Sequence, residues 1–234
     1  MQGRLKGIIP SILNLVLPSV CPVCLSPTDN YRLSPFCLDC WNGIKLYSGP
    51  SCGICAKPLG SLHAAVCAEC ERVMPVFDRA LSYGLYSGAL KDAIGLLKFS
   101  GIRRLAKPLG EMLSALGLPD ADMIIPVPLE IGGLRKRGFN QTLLIGRALS
   151  KRSGIPVRTG LLAKHRKTAP QVGLPREERL KNLKGAFKVK GKLDNKRVIL
   201  LDDVMTTGAT ATECAKELYK AGAREVTVVV LARA

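Results

Sequence analysis

A chain of 234 residues, 47% of them hydrophobic, is enough for one ordinary domain with a packed core and a small appendage. Its 35 Lys and Arg outnumber 18 Asp and Glu, and the formal charge of +17 points to anions as partners: nucleic acid, phosphate-rich ligands or an anionic membrane surface. No run of about 18 apolar residues occurs, which excludes a membrane-spanning helix from the expected elements.

The chain opens with RLKGIIPSILNLVLPSVCPVC over 4–24. Basic residues followed by an apolar run resemble a secretory signal, but Pro10 interrupts the run and no small-x-small cleavage site follows. Ile8, Ile9, Ile12, Leu13, Leu15, Val16 and Leu17 instead predict a short helix with one wide apolar face, and the protein is expected to be cytoplasmic.

Eight of the nine cysteines come next, as four C-x-x-C pairs: Cys21 and Cys24, Cys37 and Cys40, Cys52 and Cys55, Cys67 and Cys70. Two thiolates at this spacing bind one metal from a tight knuckle, and a second knuckle completes a tetrahedron. Eight ligands make two structural zinc sites, four thiolates leaving no open position on either ion. Sequential assignment gives Cys21, Cys24, Cys37 and Cys40 one zinc, and Cys52, Cys55, Cys67 and Cys70 the other. An interleaved cross-brace would use the same residues. A disulfide framework is the weaker reading without a secretory signal, and thioredoxin-type pairs lack the strand–helix context they need. So small a segment would draw its folding energy from the metal. His63 reads as a loop histidine, and Cys214 as a small hydrophobe on the helical face of Ala211, Ala215, Leu218 and Ala221.

From Phe77 onward the pattern changes. FDRALSYGLYS reads as strand, followed by helical spacing in GALKDAIGLLKF and RRLAKPLGEMLSALG. MIIPVPL is a short apolar strand ending in prolines, and NQTLLIGRALSKRSG a helix closed by Gly154. KRVILL is a buried strand, ATATECAKELYKAGA a helix and REVTVVVLAR a last strand. Strands alternating with helices predict a mostly parallel sheet covered on both faces. Ligands of such sheets lie beyond the carboxyl ends of strands, here after Ile125 and after Leu201. Two units are expected: 1–75 with the N-terminal helix and cysteine-rich segment, and 76–234 with the α/β body.

The charge concentrates in residues 135–197, where 19 Lys and Arg face only Glu177, Glu178 and Asp194. A solvated face is the plain reading; an anion-facing surface explains the clustering better. Single-stranded DNA would suit a basic groove, although Phe139 and Phe187 are the only Phe, Tyr or Trp residues there.

The most informative stretch is VILLDDVMTTGAT, 198–210. Asp202 and Asp203 are expected where the strand gives way to loop, and Thr206, Thr207, Gly208, Ala209 and Thr210 at the start of the next helix. Free backbone N–H groups and the helix dipole favour an anion there. Threonine hydroxyls add donors, and glycine permits close approach. The carboxylates suit sugar hydroxyls or a hydrated magnesium. A phosphate beside a vicinal diol, as in ribose 5-phosphate, fits the whole set. A plain helix cap would leave the acids unexplained, and neither a Walker-type loop nor a G-x-G-x-x-G turn is present.

This segment resembles the phosphoribosyl-diphosphate (PRPP) motif of type I phosphoribosyltransferases. Together with KFSG at 98–101, PVPL at 126–129, RGFNQ at 137–141, TAPQ to REERLKNLKGAF at 168–187, AGAREVTVVVLAR at 221–233 and the cysteine-rich front, it resembles the ComF family over nearly the whole chain. The resemblance implies the type I phosphoribosyltransferase fold, a mostly parallel sheet flanked by helices, behind a small N-terminal zinc-ribbon domain. It implies PRPP with magnesium as ligand and a link to competence and DNA uptake. Asp202 and Asp203 would hold ribose hydroxyls, Thr206 to Thr210 would cradle the 5-phosphate, and the PVPL turn corresponds to the pyrophosphate loop. Val127, Pro128 and Leu129 depart from the small or acidic residues of many type I enzymes there, and Arg135, Lys136 and Arg137 follow as substitutes. The basic stretch from Lys164 to Arg179 stands where such enzymes carry a closing loop. Leaving-group contacts are expected among Arg137, Arg166, Lys167 and Arg176, with Asp202, Asp203 and Arg137 as the catalytic set. The acceptor is unspecified. A PRPP-sensing, single-stranded-DNA-binding protein without catalysis is the alternative, with the zinc ribbons docking other DNA-uptake proteins.

Overall fold

The structure, a computed structural model, describes residues 20–28, 30–61, 63–166, 168 and 176–234. The helix expected through Ile8 and Leu17 lies outside the described residues, as do Lys167 and the middle of the Lys164–Arg179 stretch.

Two short helices, α1 (Leu38–Asn42) and α2 (Ala68–Arg72), each begin inside the second knuckle of a cysteine set, with Cys37 and Cys67 at their N-caps and Cys40 and Cys70 within them. The body comprises β1 (Arg79–Leu85), α3 (Gly88–Phe99), α4 (Ala106–Met112, flanked by 3-10 turns), β2 (Met123–Pro126), α5 (Ile131–Arg137), α6 (Gln141–Ser153), β3 (Leu162–Lys164), α7 (Arg176–Leu183), β4 (Phe187–Val189), β5 (Arg197–Met205), α8 (Ala209–Lys220) and β6 (Glu225–Arg233). β1, β6, β5 and β2 form one parallel sheet in that order, and β3 and β4 a small antiparallel pair.

Because side chains alternate along a strand, each central strand feeds two cores. Ile199, Leu201, Val229 and Leu231 face α3, α4 and α6, where Ile94, Leu97, Leu109, Ile145 and Leu149 are buried. Val198, Leu200, Val228 and Val230 face α8 and the β3–β4 pair, against Cys214, Leu218, Leu162 and Phe187. Each core also takes in cysteines, the second a whole set and the first all of its set but the exposed Cys24. Cys21, with Phe36 and Trp41 in edge contact at 5.6 Å, joins the first. Cys52, Cys55, Cys67 and Cys70 join the second.

Three expected boundaries change. β5 does not stop at Leu201 but runs on to Met205, because β6 continues beside it, with Asp202 opposite Val230 and Val204 opposite Ala232. β2 ends at Pro126, short of Leu129: Val127 still donates to Leu201 O at 2.8 Å, but Pro128 has no N–H with which to extend the ladder. β1 covers Arg79–Leu85, less than the alternating stretch suggested.

α4 crosses α6 closely at Gly110. A Cβ there would lie 2.4 Å from Ile145 O and 2.6 Å from Ala148 Cβ, so only glycine lets the helices approach. Gly110→Ala should therefore lower the denaturant midpoint by an amount equivalent to about 1–3 kcal/mol. Equilibrium urea unfolding of the two proteins checks this.

Candidate functional site

The site is built at the carboxyl edge of β5 and β2. After β5, Gly208 adopts φ 76° and Ala209 begins α8. The left-handed conformation is what turns the chain from strand to helix in so few residues. Asp202, Met205, Thr206, Thr207, Gly208, Ala209 and Thr210 line a cleft of about 190 Å³, floored by Val228 and Val230. A phosphate-sized anion and the sugar attached to it match a space of this size and polarity.

The two carboxylates, expected to act side by side in a loop, lie within the strand and leave it on opposite faces. Asp202 faces the cleft. Burial and the neighbouring Asp203 push its carboxyl up to about 7, although Lys98 and the Asp203 N–H, 2.9 Å from Asp202 Oδ1, oppose the rise. Asp203 is buried on the other face, its Oδ1 2.7 Å from Lys98 Nζ and its Oδ2 accepting from Gln141 Nε2 at 2.8 Å. Gln141 in turn accepts from Arg137 at its Oε1. One connected set thus runs Lys98–Asp203–Gln141–Arg137. KFSG and RGFNQ are legible as motifs, yet nothing in the sequence pairs Lys98 and Gln141 with Asp203, because α3, α6 and β5 come together only in the fold.

Around β2, Asn140 caps α6 by accepting from the N–H groups of Thr142 and Leu143, while its Nδ2 donates to Val127 O at 3.1 Å. Thr142 Oγ1 donates to the same carbonyl at 2.7 Å. The PVPL turn is therefore held by α6. Arg135 is exposed on α5 and Arg137 half-buried at its end. Arg166 donates to the carbonyls of Asn182 and Lys184, bracing α7 rather than reaching the cleft. Arg179, on α7, donates to Thr206 Oγ1 at 2.7 Å and brings a cation to the cleft that the sequence did not single out. Lys136 and Arg176 lie on α5 and α7.

The eight cysteine sulfurs gather into two groups, Cys21, Cys24, Cys37 and Cys40, and Cys52, Cys55, Cys67 and Cys70, each with its ligand atoms within 4.8 Å of one another. The grouping is sequential, not interleaved. A zinc–sulfur bond of about 2.3 Å gives a tetrahedron edge of about 3.8 Å; Cys24 and Cys37 sulfurs stand 3.5 Å apart, and those of Cys55 and Cys67 3.6 Å. The donor sets fit two zinc ions. The two halves repeat each other: each first knuckle closes with a bond back to its first cysteine carbonyl, from Leu25 N and from Ala56 N, both 2.9 Å, and both residues have positive φ. His63 is exposed and in neither group, and Cys214 is buried on α8.

Arg233 links the second cysteine set to the cleft. Buried at the end of β6, it donates from Nε to Cys55 O at 3.1 Å and from Nη1 to Met205 O at 3.0 Å and to Thr206 O.

A parallel sheet flanked by helices, an anion-suited turn after its central strand and a cysteine-rich ribbon pair define a protein of type I phosphoribosyltransferase fold with an N-terminal zinc-ribbon domain. Family models agree: a double zinc ribbon domain matches residues 12–71, and a phosphoribosyl transferase domain matches 143–234. Competence protein F of Haemophilus influenzae is 35% identical over 211 residues, covering 85% of this chain and 90% of its own. The DNA utilization protein YhgH of Salmonella typhi is 31% identical over 94% of this chain and 99% of its own, and competence protein ComFC of Streptococcus pneumoniae 30% identical over 86% and 88%. The chain belongs to the ComF family of competence protein F. Among solved structures, a glutamine PRPP amidotransferase from B. subtilis is 25% identical, over 53% of this chain and 25% of its own, with a TM-score of 0.39. No described helix is long and apolar enough to cross a membrane.

If each four-sulfur group holds one ion, the purified protein should contain about two zinc ions per chain. Cys52→Ser with Cys55→Ser should halve that number. Elemental analysis of both proteins gives the count.

Proposed function

We propose that the chain binds PRPP with magnesium at the Asp202–Thr210 cleft and transfers its phosphoribosyl group to an acceptor, in the service of DNA uptake. The observation that carries this reading is the cleft itself: the Thr206–Thr210 turn at the start of α8 beside a carboxylate facing the same space. Thr206, Thr207, Gly208, Ala209 and Thr210 cradle the 5-phosphate, and Asp202 accepts from the ribose hydroxyls. Asp203, already engaged by Lys98 and Gln141, acts at one remove, by fixing Arg137 toward the pyrophosphate end. Magnesium, held by Asp202 together with the ligand's own oxygens, would neutralise the leaving group.

Displacement at the anomeric carbon develops oxocarbenium character, so the chain's task is positioning and charge stabilisation rather than strong base catalysis. Arg137 and Arg179 would share the pyrophosphate and phosphate charge, a reading supported for Arg179 by its bond to Thr206; Lys167 and Arg176 belong to the same basic stretch. Residues 1–75 would form the docking unit and 76–234 the transferase unit, with the ribbons offered to other DNA-uptake proteins.

The pH dependence follows from Asp202. Its carboxyl stays protonated in the folded protein up to about 7, whereas the unfolded chain ionises it from about 4. The unfolded state therefore holds fewer protons between those values, and this group's contribution to stability falls as pH rises through that window. Ligand binding has the opposite sign, because the ionised form accepts the hydroxyls and attracts the cation. PRPP affinity should rise from pH 6 to 8 in the wild type. Asp202→Asn should bind more weakly, rise less steeply and be no less stable at pH 8. The ligand's own phosphate titration is common to both and cancels. Calorimetry with magnesium present measures this; equal affinity and equal slope for the two proteins would refute the site.

One observation favours a second, compatible role. Arg103, Lys107, Arg147, Lys151 and Arg152 line one groove between α4 and α6, with Glu111 the one acid among its lining residues. This groove suits a nucleic-acid backbone and moves the expected track partly outside 135–197, since Arg103 and Lys107 come from α4 and the turn before it. Single-stranded DNA affinity should fall with salt at about −0.7 in log–log slope per phosphate contact, so Lys107→Glu with Arg147→Glu should flatten the slope by roughly 1–2. Salt titration of an oligothymidylate with both proteins tests it, and unchanged slopes would remove the groove from the track.

A further inference from the structure

The two four-sulfur groups offer the same donors, but the fold exposes them unequally. Cys52, Cys55, Cys67 and Cys70 are each at most 6% exposed and share a core with Phe77, Met205 and Ala209. Hydrogen bonds also hold this ribbon to the sheet. Ala80 N donates to Ile54 O at 2.7 Å, inside the first knuckle, and Arg233 Nε donates to Cys55 O at 3.1 Å. Arg233 Nη2 lies 3.9 Å from Cys55 Sγ as well. A cation beside a thiolate draws on its electron density and makes the sulfur a poorer nucleophile.

In the first group only Cys21 is buried; Cys37 and Cys40 are half-buried and Cys24 is exposed. The Cys37 sulfur stands 3.5 Å from that of Cys24. An accessible thiolate with a second one in reach is the arrangement that peroxides oxidise: the first sulfur takes the oxygen and the second resolves it as a disulfide. The buried set has the same thiolates but leaves an oxidant little approach.

We propose that the first ribbon is an oxidation site, entered at Cys24, whose zinc is released by hydrogen peroxide while the second ribbon keeps its ion. The Cys24 thiolate attacks one peroxide oxygen; the O–O bond breaks, a sulfenic acid forms and hydroxide leaves. The sulfur loses two electrons and the peroxide gains them. The Cys37 thiolate then attacks the Cys24 sulfur, an S–S bond forms, and the sulfenic oxygen leaves as a second hydroxide. Cys21 and Cys40 alone are too few ligands to hold the ion. Both steps presuppose the two zinc ions that the donor sets fit.

Zinc release into a chelating dye, followed in the full chain under excess hydrogen peroxide, tests this. About one ion per chain should leave in a fast phase, and the second should leave about tenfold more slowly. Peptide mass mapping of protein quenched after the fast phase should find a Cys24–Cys37 disulfide, with Cys52, Cys55, Cys67 and Cys70 still reduced. Both ions leaving in one phase, neither leaving, or a fast phase that oxidises the second set overturns the asymmetry. A fast-phase disulfide that omits Cys24 or Cys37 overturns the assigned entry and resolution. Protein purified without zinc overturns the zinc reading and the oxidation site together.

Discussion

Arg233 is the constraint on which the rest of the structure hangs. Burying a guanidinium is costly unless its donors are met by well-placed acceptors. Here they are met by backbone carbonyls from three separate places: Cys55 in the second ribbon, Met205 and Thr206 at the end of β5, and Ala234 after β6. Satisfying this one cation fixes where the ribbon sits, where β5 ends and where the anion-suited turn begins. The ribbon is thereby part of the site's foundation, since its cysteines share a core with Met205 and Ala209 as well.

The second organising feature is the continuation of β5 through its acidic pair. Once β6 holds the strand to Met205, pleating sends Asp202 and Asp203 to opposite faces, and adjacent residues of one type acquire different work. Asp202 stays next to the cleft with an elevated carboxyl pKa. Asp203 becomes the hub between α3 and α6, holding Lys98 and Gln141 and through Gln141 engaging Arg137. A single strand therefore places a cleft-facing group and the anchor that holds Lys98 and Gln141.

The excess positive charge also divides by place. Arg179 reaches Thr206 at the cleft, Arg137 engages Gln141, Arg166 braces α7 through backbone carbonyls, and Arg103, Lys107, Arg147, Lys151 and Arg152 line a separate groove. A linear count over 135–197 merges these groups, because neighbours along the chain are not neighbours in the fold.

Much was nevertheless legible in the chain itself. The C-x-x-C spacing determined two four-thiolate sets, since knuckle geometry is local. Apolar runs between helical periods determined a parallel sheet, and TTGAT after a buried strand determined an anion-suited turn, because both follow from backbone properties of neighbouring residues. What only the tertiary structure decided were the contacts that cross elements. The sequential grouping of the cysteines, the extension of β5 to Met205, the separation of Asp202 from Asp203, the arrival of Arg179 at Thr206 and the strut from Arg233 to Cys55 all depend on which strand lies beside which. Local spacing carries no information about a partner up to 178 residues away, the distance in sequence between Cys55 and Arg233.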